Sequence, residues 1–277
     1  MAKFSFIGAG NMGGALARAA VRKLPPKEVL LSNRTRAKAE ALAKELGCAA
    51  GSVRQAAEEG KYIFLGVKPQ MMEGLMRELA PVLAARRDRF VLVTMAAGLT
   101  MNKILSMCAP DGLGAYIPGP VYPVIRIMPN TPCAIGEGVI LYDANAQVTP
   151  EELAEFTGGM SGAGILDRLE EKLIDAGSAV AGCGPAFVCQ FMEALADGGV
   201  ACGLPRDKAM LYAAQTLKGT AALQLSTGRH PGALKDAVCS PGGSTIAGVR
   251  TLEERGFRGG VMDAVIAAVE RTKELGK

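Results

Sequence analysis

The chain has no tryptophan, one histidine, five tyrosines and eight phenylalanines, and these shortages narrow the range of possible functions. So few aromatic rings argue against the stacking platforms that bind single-stranded nucleic acids. The net charge is only +4 and no basic run is longer than Arg86–Arg87, so we predict no nucleic-acid partner. A lone imidazole, at His230, leaves little to bind a transition metal, and we predict no metal site.

Cysteine pairs and long apolar stretches are missing as well. The seven cysteines are scattered without a CxxC pair, which argues against disulfides or zinc and favours free thiols in a reducing compartment. The most apolar windows contain Glu193, Asp197 or Lys218, so we expect no membrane span. The first residues lack the features of a secretory signal. These patterns predict a cytoplasmic protein with no membrane partner.

What the sequence does contain is a globular composition, 49% hydrophobic and 21% charged, and a regular alternation of apolar runs with helical patterns. The runs show almost no polar alternation, which is typical of strands buried on both faces of a parallel sheet. Helical patterns follow them at the spacing of βαβ units. We predict strands at residues 3–8, 28–33, 61–67, 89–95, 124–128 and 137–142, and helices at 12–23 and 35–46.

Two segments interrupt this pattern. Residues 109–123 contain four prolines and three glycines and are predicted to form a loop. Thr149, followed by Pro150, Glu151 and Glu152, has the features of a helix start: a capping hydroxyl, proline at the first helical position and acids in the first turn.

Near residue 166 the strand pattern ends, and we expect only helices beyond it. The helices predicted at 185–202 and 206–225 are rich in apolar residues, the second on nearly every side, so they must be buried extensively. So short a domain can hardly surround both, and we infer that a second subunit covers them. The predicted fold class is α/β, with a doubly wound Rossmann-type sheet at 1–165 and an all-α dimerisation domain at 166–277.

A glycine-rich turn, GAGNMG at residues 8–13, directly follows the first strand and opens the first helix. In a GxGxxG turn the first glycine allows a tight bend, the second lets backbone approach a pyrophosphate, and the third allows close helix–strand packing. The N–H groups at the helix start also favour phosphates. We therefore predict a site for a nicotinamide dinucleotide.

The end of the second strand distinguishes the two nicotinamide cofactors. An NAD site usually has Asp or Glu about twenty residues past the glycines, to bind the ribose 2′-hydroxyl. This chain instead has SNRTR at residues 32–36, and Arg34 and Arg36 can pair with a 2′-phosphate. Alternatively, both arginines are solvated charges at a helix start. The pattern favours NADP(H), with NAD(H) as the alternative cofactor.

A second glycine-rich turn, SPGGSTI at residues 240–246, also precedes a helical stretch. The N–H groups of Gly243, Ser244 and Thr245, with the neighbouring hydroxyls, would form a cradle for an anion. The segment is too short for a P-loop and has no lysine, so a small carboxylate is the expected ligand. The alternative is a simple helix N-cap made by Ser244 or Thr245.

The sequence shows no strong general acid beside either turn. His230 lies in a turn-like HPG segment, which favours a structural role, and Glu193 and Asp197 share a helix face where they could be solvated or bridge subunits. A reductase without such an acid works best on a substrate that already carries its proton, and a protonated cyclic imine meets this condition.

Taken together, these segments resemble the pyrroline-5-carboxylate reductases over essentially the whole chain. The motifs are FIGAGNMG at 6–13, VKP at 67–69, AAG at 96–98, RIMPNTP at 126–132, GCGPAF at 182–187, HPGALK at 230–235 and SPGGSTI at 240–246. The resemblance implies an oxidoreductase of proline biosynthesis, which reduces 1-pyrroline-5-carboxylate to L-proline with NAD(P)H. It also implies homodimers interlocked through their C-terminal domains, which often assemble further into decamers.

The resemblance implies the site residues as well. Thr245 would be the catalytic residue, hydrogen-bonded to the ring nitrogen of the substrate. The substrate would bind at Ser240, Gly242, Gly243, Ser244 and Thr245. The cofactor would bind at Gly8, Ala9, Gly10, Asn11, Met12, Gly13, Ser32, Asn33, Arg34, Thr35, Val67, Lys68, Pro69, Ala96, Ala97, Asn130 and Pro132.

The chain departs from the family pattern in three places. Cys183 replaces the usual serine of GSGPA, Ala237 stands where relatives are often polar, and the 109–123 loop looks longer than usual. Two other functions stay open on sequence alone. A β-hydroxyacid dehydrogenase would need a catalytic lysine, for which Lys172 is the only candidate, and an NADP-binding regulator would bind NADPH without turnover.

Overall fold

The structure, a computed structural model, describes residues 2–108 and 121–275. The chain forms two compact units. The first runs from the N-terminus to Gly182 and includes the C-terminal residues from Ala268 onward, and the second comprises Cys183–Ala267. The first unit contains strands and helices, whereas the described residues of the second form helices and turns only.

The strands of the first unit form a single sheet. They are β1 Phe4–Ile7, β2 Val29–Ser32, β3 Ala49–Ala50, β4 Tyr62–Leu65, β5 Val91–Thr94, β6 Val124–Pro129, β7 Gly138–Ala144 and β8 Gly164–Arg168. Their order is β3-β2-β1-β4-β5-β6-β7-β8. The first six in this order are parallel, in the strand order of a Rossmann fold, whereas β7 runs antiparallel to β6. The predicted doubly wound sheet is confirmed.

Helices connect the strands, as the spacing of the apolar runs predicted. They are α1 Asn11–Val21, α2 Arg36–Leu46, α3 Val53–Glu59, α4 Pro69–Ala85, α5 Met101–Ser106, α6 Pro150–Met160 and α7 Glu171–Ala181, with 3₁₀ turns at Pro26–Glu28, Thr131–Ile135 and Ser161–Ala163. The predicted helix start at Thr149 is confirmed. The Thr149 hydroxyl accepts the N–H of Glu152, and the Glu152 carboxylate accepts the N–H of Thr149, which completes a capping box.

Both faces of the sheet are buried, as the uninterrupted apolar runs predicted. On one face Phe6 and Phe64 stack with ring centroids 4.2 Å apart, and Leu16 of α1 belongs to the same buried cluster. On the other face Ile63 shares a buried cluster with Met72 of α4. Since neighbouring residues of β4 enter opposite clusters, almost every position in the strand must be apolar.

The second unit consists of packed helices. They are α8 Gly184–Ala201, α9 Arg206–Thr227, α10 Pro231–Ala237, α11 Ser244–Glu254 and the beginning of α12, Phe257–Leu275. A small alanine cluster, with Ala196 and Ala209 among its members, joins α8 to α9. Large apolar side chains on the same helices are open: Leu195, Leu211 and Leu223 are 44%, 58% and 50% exposed. One chain therefore does not supply the burial that the apolar composition of these helices requires.

The border between the compact units lies further along the chain than the border predicted at residue 165. β8 crosses that position, and α7 belongs to the first unit. Sequence reasoning missed β8 because GILDR ends in two charged residues and shows no apolar run. The assignment of separate cofactor-binding and dimerisation roles to the two parts stays a prediction.

One stretch, Glu171–Ala201, is long and apolar enough to cross a membrane by length and composition alone, with a hydropathy of 1.4. The expectation that the sequence contains no such stretch was therefore too strong. In the structure the stretch is divided into α7 and α8, with Gly182 and Cys183 between them. Only 11% of the most apolar 18-residue part of this stretch is buried. So large an exposed apolar surface indicates a contact with another molecule.

Candidate active site

The Gly8–Gly13 turn joins β1 to α1, as predicted, and close backbone contacts require two of its glycines. Gly8 has a φ of +104°, and a Cβ on it would lie 2.4 Å from the carbonyl oxygen of Gly66. A Cβ on Gly13 would lie 2.2 Å from the carbonyl oxygen of Gly8. The turn is therefore packed against the end of β4, and side chains are excluded at both positions.

Gly10, by contrast, faces open space. Apart from Gly10 and its two chain neighbours, no residue that the structure describes has a heavy atom within 4 Å of the position that a Cβ on Gly10 would take. Gly10 is the N-cap of α1, no side chain caps this helix start, and its first turn contains no acid. The first N–H groups of α1 thus have no intrahelical partner. An anion such as a pyrophosphate fits this open, positively polarised helix end.

The end of β2 lies beside the same turn. The carbonyl oxygen of Ser32 accepts the N–H groups of Gly8 at 2.8 Å and Ala9 at 3.1 Å. Asn33 is half-buried, and its Nδ2 donates to the carbonyl oxygen of Thr35 at 3.2 Å. These bonds fix the start of the predicted adenosine segment against the glycine turn.

The two arginines of this segment are in different environments. Nε of Arg36 pairs with Oε1 of Glu40 at 2.7 Å, one helical turn along α2. Arg34 is exposed and has no ion-pair partner among the residues that the structure describes. Arg34 is therefore the arginine that is available to bind a phosphate without losing an existing partner.

The other predicted cofactor segments begin at the same edge of the sheet. Val67–Pro69 follows β4, Ala96–Ala97 follows β5 and Asn130–Pro132 follows β6. Ligands of open parallel sheets bind outside the carboxyl ends of the strands, which is where these segments start. Lys68 is exposed and is the N-cap of α4, with Pro69 as the first helical residue. The structure brings these segments to one edge, and their contact with a cofactor stays a prediction.

The side chain of Asn130 is already engaged within the first unit. The residue is 7% exposed. Its Oδ1 accepts the N–H of Val139 at 2.9 Å, and its Nδ2 donates to the carbonyl oxygen of Ala181 at 3.0 Å, at the end of α7. This amide therefore fixes the end of β6 to two neighbouring elements.

Sequence reasoning missed Arg126, which lies in the middle of β6 and is 1% exposed. Its guanidinium pairs with Asp175 at 2.5 Å and with Glu171 at 3.6 Å, both on α7. Among the described residues its Nε is the one buried side-chain nitrogen or oxygen atom without a hydrogen-bond partner. The available signal was an arginine within an apolar strand, because a buried guanidinium needs an acidic partner.

In the second unit the Ser240–Thr245 turn connects α10 to α11. The N–H of Gly243 donates to the carbonyl oxygen of Ser240 at 3.0 Å, and Gly242 has a φ of +68°. With Pro241 before Gly242, this arrangement is typical of a type II turn. A Cβ on Gly243 would lie 2.5 Å from the Ser240 hydroxyl oxygen, so a side chain there would force this hydroxyl to turn away.

Two details of the predicted anion cradle change. Gly243 is the N-cap of α11 and no side chain caps this helix, so the alternative of an N-cap made by Ser244 or Thr245 is wrong. The Gly243 N–H is used inside the turn, which leaves the N–H groups of Ser244 and Thr245 as donors. Both of these residues and Ser240 are exposed. The turn can therefore present two N–H groups and three hydroxyls to a ligand.

Two further candidate side chains have local partners. Nδ1 of His230 accepts the N–H of Gly232 at 3.1 Å and caps α10, so the predicted structural role is confirmed. Lys172 is exposed and pairs with Glu170 at 2.5 Å. Within residues 2–108 and 121–275, no cluster of His, Cys, Asp and Glu could hold a metal ion.

The three departures from the family pattern lie at different places. Cys183 is the half-buried N-cap residue of α8, and Ala237 is the exposed last residue of α10. The surroundings of these two residues give no structural reason for either replacement. Most of the predicted 109–123 loop, residues 109–120, lies outside the described residues.

Two family models match the chain. The family described as "Pyrroline-5-carboxylate reductase dimerisation" matches residues 171–275. The family described as "NADP oxidoreductase coenzyme F420-dependent" matches residues 3–98. The first match includes the Ser240–Thr245 turn and the second includes the Gly8–Gly13 turn, so each glycine turn lies within a known family.

Full-length relatives and solved structures agree with these matches. The pyrroline-5-carboxylate reductase of Glycine max is 38% identical over 98% of this chain and 94% of its own length. That of Escherichia coli (strain K12) is 37% identical over 99% of this chain and 98% of its own. The crystal structure of Plasmodium falciparum pyrroline carboxylate reductase with NADP bound has a TM-score of 0.86 at 29% identity, covering 100% of this chain and 98% of that one. The chain therefore belongs to the pyrroline-5-carboxylate reductase family.

Proposed function

We propose that the protein is an NADP-dependent pyrroline-5-carboxylate reductase, which catalyses the last step of proline biosynthesis. The observation that carries this proposal is the pair of glycine turns, because each opens a helix whose start has no side-chain cap. One turn fits the pyrophosphate of a dinucleotide and the other fits a small carboxylate. These are the anionic groups that a reductase of an imino acid has to hold. The full-length similarity to the family supports the same reaction.

The bound cofactor supplies a hydride from C4 of its reduced nicotinamide. We propose that Gly8–Gly13 and the start of α1 hold the pyrophosphate, and that Ser32–Thr35 hold the adenosine phosphate. Val67–Pro69, Ala96–Ala97 and the Asn130–Pro132 segment would flank the nicotinamide end. The unpaired Arg34 supports NADP(H) over NAD(H), because a guanidinium binds a 2′-phosphate through paired hydrogen bonds.

We propose that the Ser240–Thr245 turn holds the substrate. Ser240, the glycines and the N–H groups of Ser244 and Thr245 would bind the carboxylate, and the Thr245 hydroxyl would orient the ring nitrogen. The hydride adds to the imine carbon, which is C2 of the protonated 1-pyrroline-5-carboxylate ring and becomes C5 of proline; the C=N bond becomes a single bond, and nitrogen keeps its proton. No acid has to donate a proton in this step, so catalysis consists mostly of positioning.

The proposed enzyme is a cytoplasmic homodimer interlocked through its C-terminal domains, with decamers as a larger assembly. Exposed leucines on α8 and α9 support this, because a partner subunit would remove them from water. The same cover would account for the apolar stretch Glu171–Ala201 without a membrane. We propose no nucleic-acid partner, since the chain has no extended basic run.

The test is the oxidation of NADPH and of NADH by the purified protein with 1-pyrroline-5-carboxylate. We expect turnover with both and a higher kcat/KM for NADPH. In a parallel assay, NADP⁺ reduction by a 3-hydroxy acid that disappears in Lys172→Ala would identify a β-hydroxyacid dehydrogenase instead. NADPH binding without turnover on any imine would identify a regulator.

The role of Thr245 has its own test. Thr245→Ala is expected to lower kcat/KM by about tenfold or more, because a hydrogen bond to a charged group contributes about 1.5–3 kcal/mol. Thr245→Ser keeps the hydroxyl and is expected to retain most of the activity. An unchanged kcat/KM in Thr245→Ala would remove Thr245 from the mechanism.

A further inference from the structure

A group of charges centred on the buried guanidinium of Arg126 lies on β6, β7 and α7, below the sheet edge where the predicted nicotinamide segments begin. We call Arg126, Asp143, Glu171 and Asp175 the Arg126 cluster. In the sheet register Arg126 lies opposite Thr94 of β5 and Asp143 of β7, so these side chains share one face. The helix α7, which carries the other two acids, packs against β6 and β7.

The members of the cluster differ in their access to water. Arg126 is 1% exposed at its side chain, whereas the side chains of Glu171 and Asp175 are 25% and 27% exposed. A buried charge that loses its partner is strongly destabilising, but a partly exposed carboxylate can be solvated. Replacing the arginine with an apolar residue is therefore better tolerated than removing both of its acidic partners. Loss of Glu171 alone leaves Arg126 its closer partner, Asp175, at 2.5 Å.

The cluster also bonds to the connection that follows β5. Glu171 accepts the N–H of Met101 at 2.7 Å, at the start of α5, and its own N–H donates to Asp143 at 2.8 Å. The chain between β5 and α5 contains Ala96–Ala97. One side of the cluster therefore fixes the far end of the connection that carries this predicted nicotinamide segment.

The other side of the cluster fixes the Asn130–Pro132 segment. Arg126 lies on β6, which leads directly into that segment. Asn130 donates to the carbonyl oxygen of Ala181, at the opposite end of α7 from Glu171. β6 is thus bonded to α7 near both ends of the helix, so a shift of α7 would move both predicted nicotinamide segments together.

We propose that Arg126 is a positioning residue for hydride transfer. Through Glu171 and Asp175 it fixes the two segments that would flank the nicotinamide ring, and it does not itself touch the cofactor. The proposal rests on the proposed function, which places the ring at this edge. Alignment of donor and acceptor is the main requirement of the reaction, and a misplacement of about 1 Å can lower a rate by about a hundredfold.

The central variant is Arg126→Met, which removes the charge and keeps an unbranched apolar stem. We expect the nicotinamide fluorescence of bound NADPH to change. The Kd of adenosine 2′,5′-bisphosphate should stay within about twofold of wild type, because that fragment binds at a distant segment. We expect kcat to fall by about tenfold or more. The kinetic isotope effect with C4-deuterated NADPH should rise, because hydride transfer becomes slower relative to the other steps.

Stability loss alone gives a different result, since it lowers the active fraction and leaves the isotope effect and the bound-state fluorescence unchanged. Lys172→Ala is the matched control, because Lys172 lies on α7 but pairs with Glu170 outside the cluster. It is expected to match wild type in all four measurements.

If Arg126→Met does not fold, a second pair of variants tests whether the Arg126 cluster positions the nicotinamide segments. Glu171→Gln keeps an acceptor for the Met101 N–H, whereas Glu171→Ala removes it, so the fluorescence change should be larger with alanine. Wild-type fluorescence and isotope effect in Arg126→Met and Glu171→Ala would overturn the proposal. A wild-type protein that is inactive on 1-pyrroline-5-carboxylate would overturn the proposed function instead, and the fluorescence arm would still test the cluster.

Discussion

The three glycines of the first turn are explained by different contacts. Gly8 and Gly13 lie where a Cβ would collide with backbone oxygen, so the fold itself excludes a side chain there. Gly10 has a φ of −80°, which any residue can adopt, and open space surrounds its missing Cβ. The folded chain alone gives no reason for glycine at this position, whereas a ligand close to the backbone does.

Alanine substitutions should therefore separate folding from binding. Gly10→Ala is expected to cost only about 1 kcal/mol of stability, since alanine is a poorer N-cap residue than glycine but meets no steric clash here. It should weaken NADPH binding by about 1–3 kcal/mol through crowding of the pyrophosphate. Gly13→Ala should lower stability by about 2 kcal/mol or more, because the Gly8 backbone must move. Thermal unfolding and fluorescence titration measure both effects, and normal NADPH affinity in Gly10→Ala would contradict this account.

Single residues were predictable where their geometry is local. The glycine turn could be found because strand, turn and helix follow one another within a few residues of the sequence. Arg126 could not be assigned, because its partner Asp175 lies 49 positions further along the chain. The engagement of Asn130 with Ala181 is hidden for the same reason, with a separation of 51 positions.

At the level of elements, α6 combines a local signal with a long-range one. The capping box of Thr149 and Glu152 was visible in the sequence. The fold adds Arg89, which donates to both carboxylate oxygens of Glu152 at 2.7 and 3.0 Å. The hydrogen bonds from Arg89 lower the pKa of Glu152, despite the opposing effect of its burial. The charged form of Glu152 therefore stabilises this helix start.

The stability effect of Glu152 should depend on pH. Because its pKa is lowered by folding, its contribution is present above the pKa of an unfolded glutamate, about 4.3, and is lost as the pH falls through the folded value. Glu152→Gln, which keeps an acceptor for the cap, is expected to cost about 1 kcal/mol at neutral pH, since Arg89 is half exposed. Urea unfolding at neutral and acidic pH measures the difference, which should shrink towards low pH.

Glu58→Gln in α3 is the control for Glu152→Gln. Glu58→Gln removes the acid of an exposed pair with Arg54 one helical turn away, and is expected to cost at most about 0.5 kcal/mol. A difference between wild type and Glu152→Gln that grows as the pH falls would show that the carboxylate is not held in its charged form.

The strands show which elements a single sequence can reveal. Strands buried on both faces, such as β4 and β5, are apolar at almost every position and were predicted. β8 is half exposed and carries Asp167 and Arg168, so its sequence has no strand pattern. The two-residue β3 is too short to produce one. The two strands that the sequence did not reveal lie at the edges of the sheet, where fewer side chains are buried and fewer positions must therefore be apolar.

At the scale of the whole molecule, the sequence indicated that some helices need a cover without showing where it binds. The exposed apolar residues of the second unit now identify that surface by position. Leu211 on α9 is 58% exposed, and Met262 and Ile266 on α12 are 60% and 54% exposed. Exposed apolar residues in such number are typical of an interface between subunits.

Introducing a charge on this surface should dissociate the proposed homodimer. Leu211→Glu would bury an unpaired carboxylate at the interface, a cost of several kcal/mol, so sedimentation should show a smaller species at concentrations where wild type is dimeric. Ala84→Glu adds the same charge to an exposed position of α4 in the first unit and is the control.

NADPH binding should persist in Leu211→Glu, because the first glycine turn is built entirely by the first unit. If the subunits exchange their helical domains, turnover should fall with the dimer, since one subunit would hold the hydride donor and its partner the carboxylate. A Leu211→Glu protein that remains dimeric and fully active would mean that this face of α9 lies outside the interface.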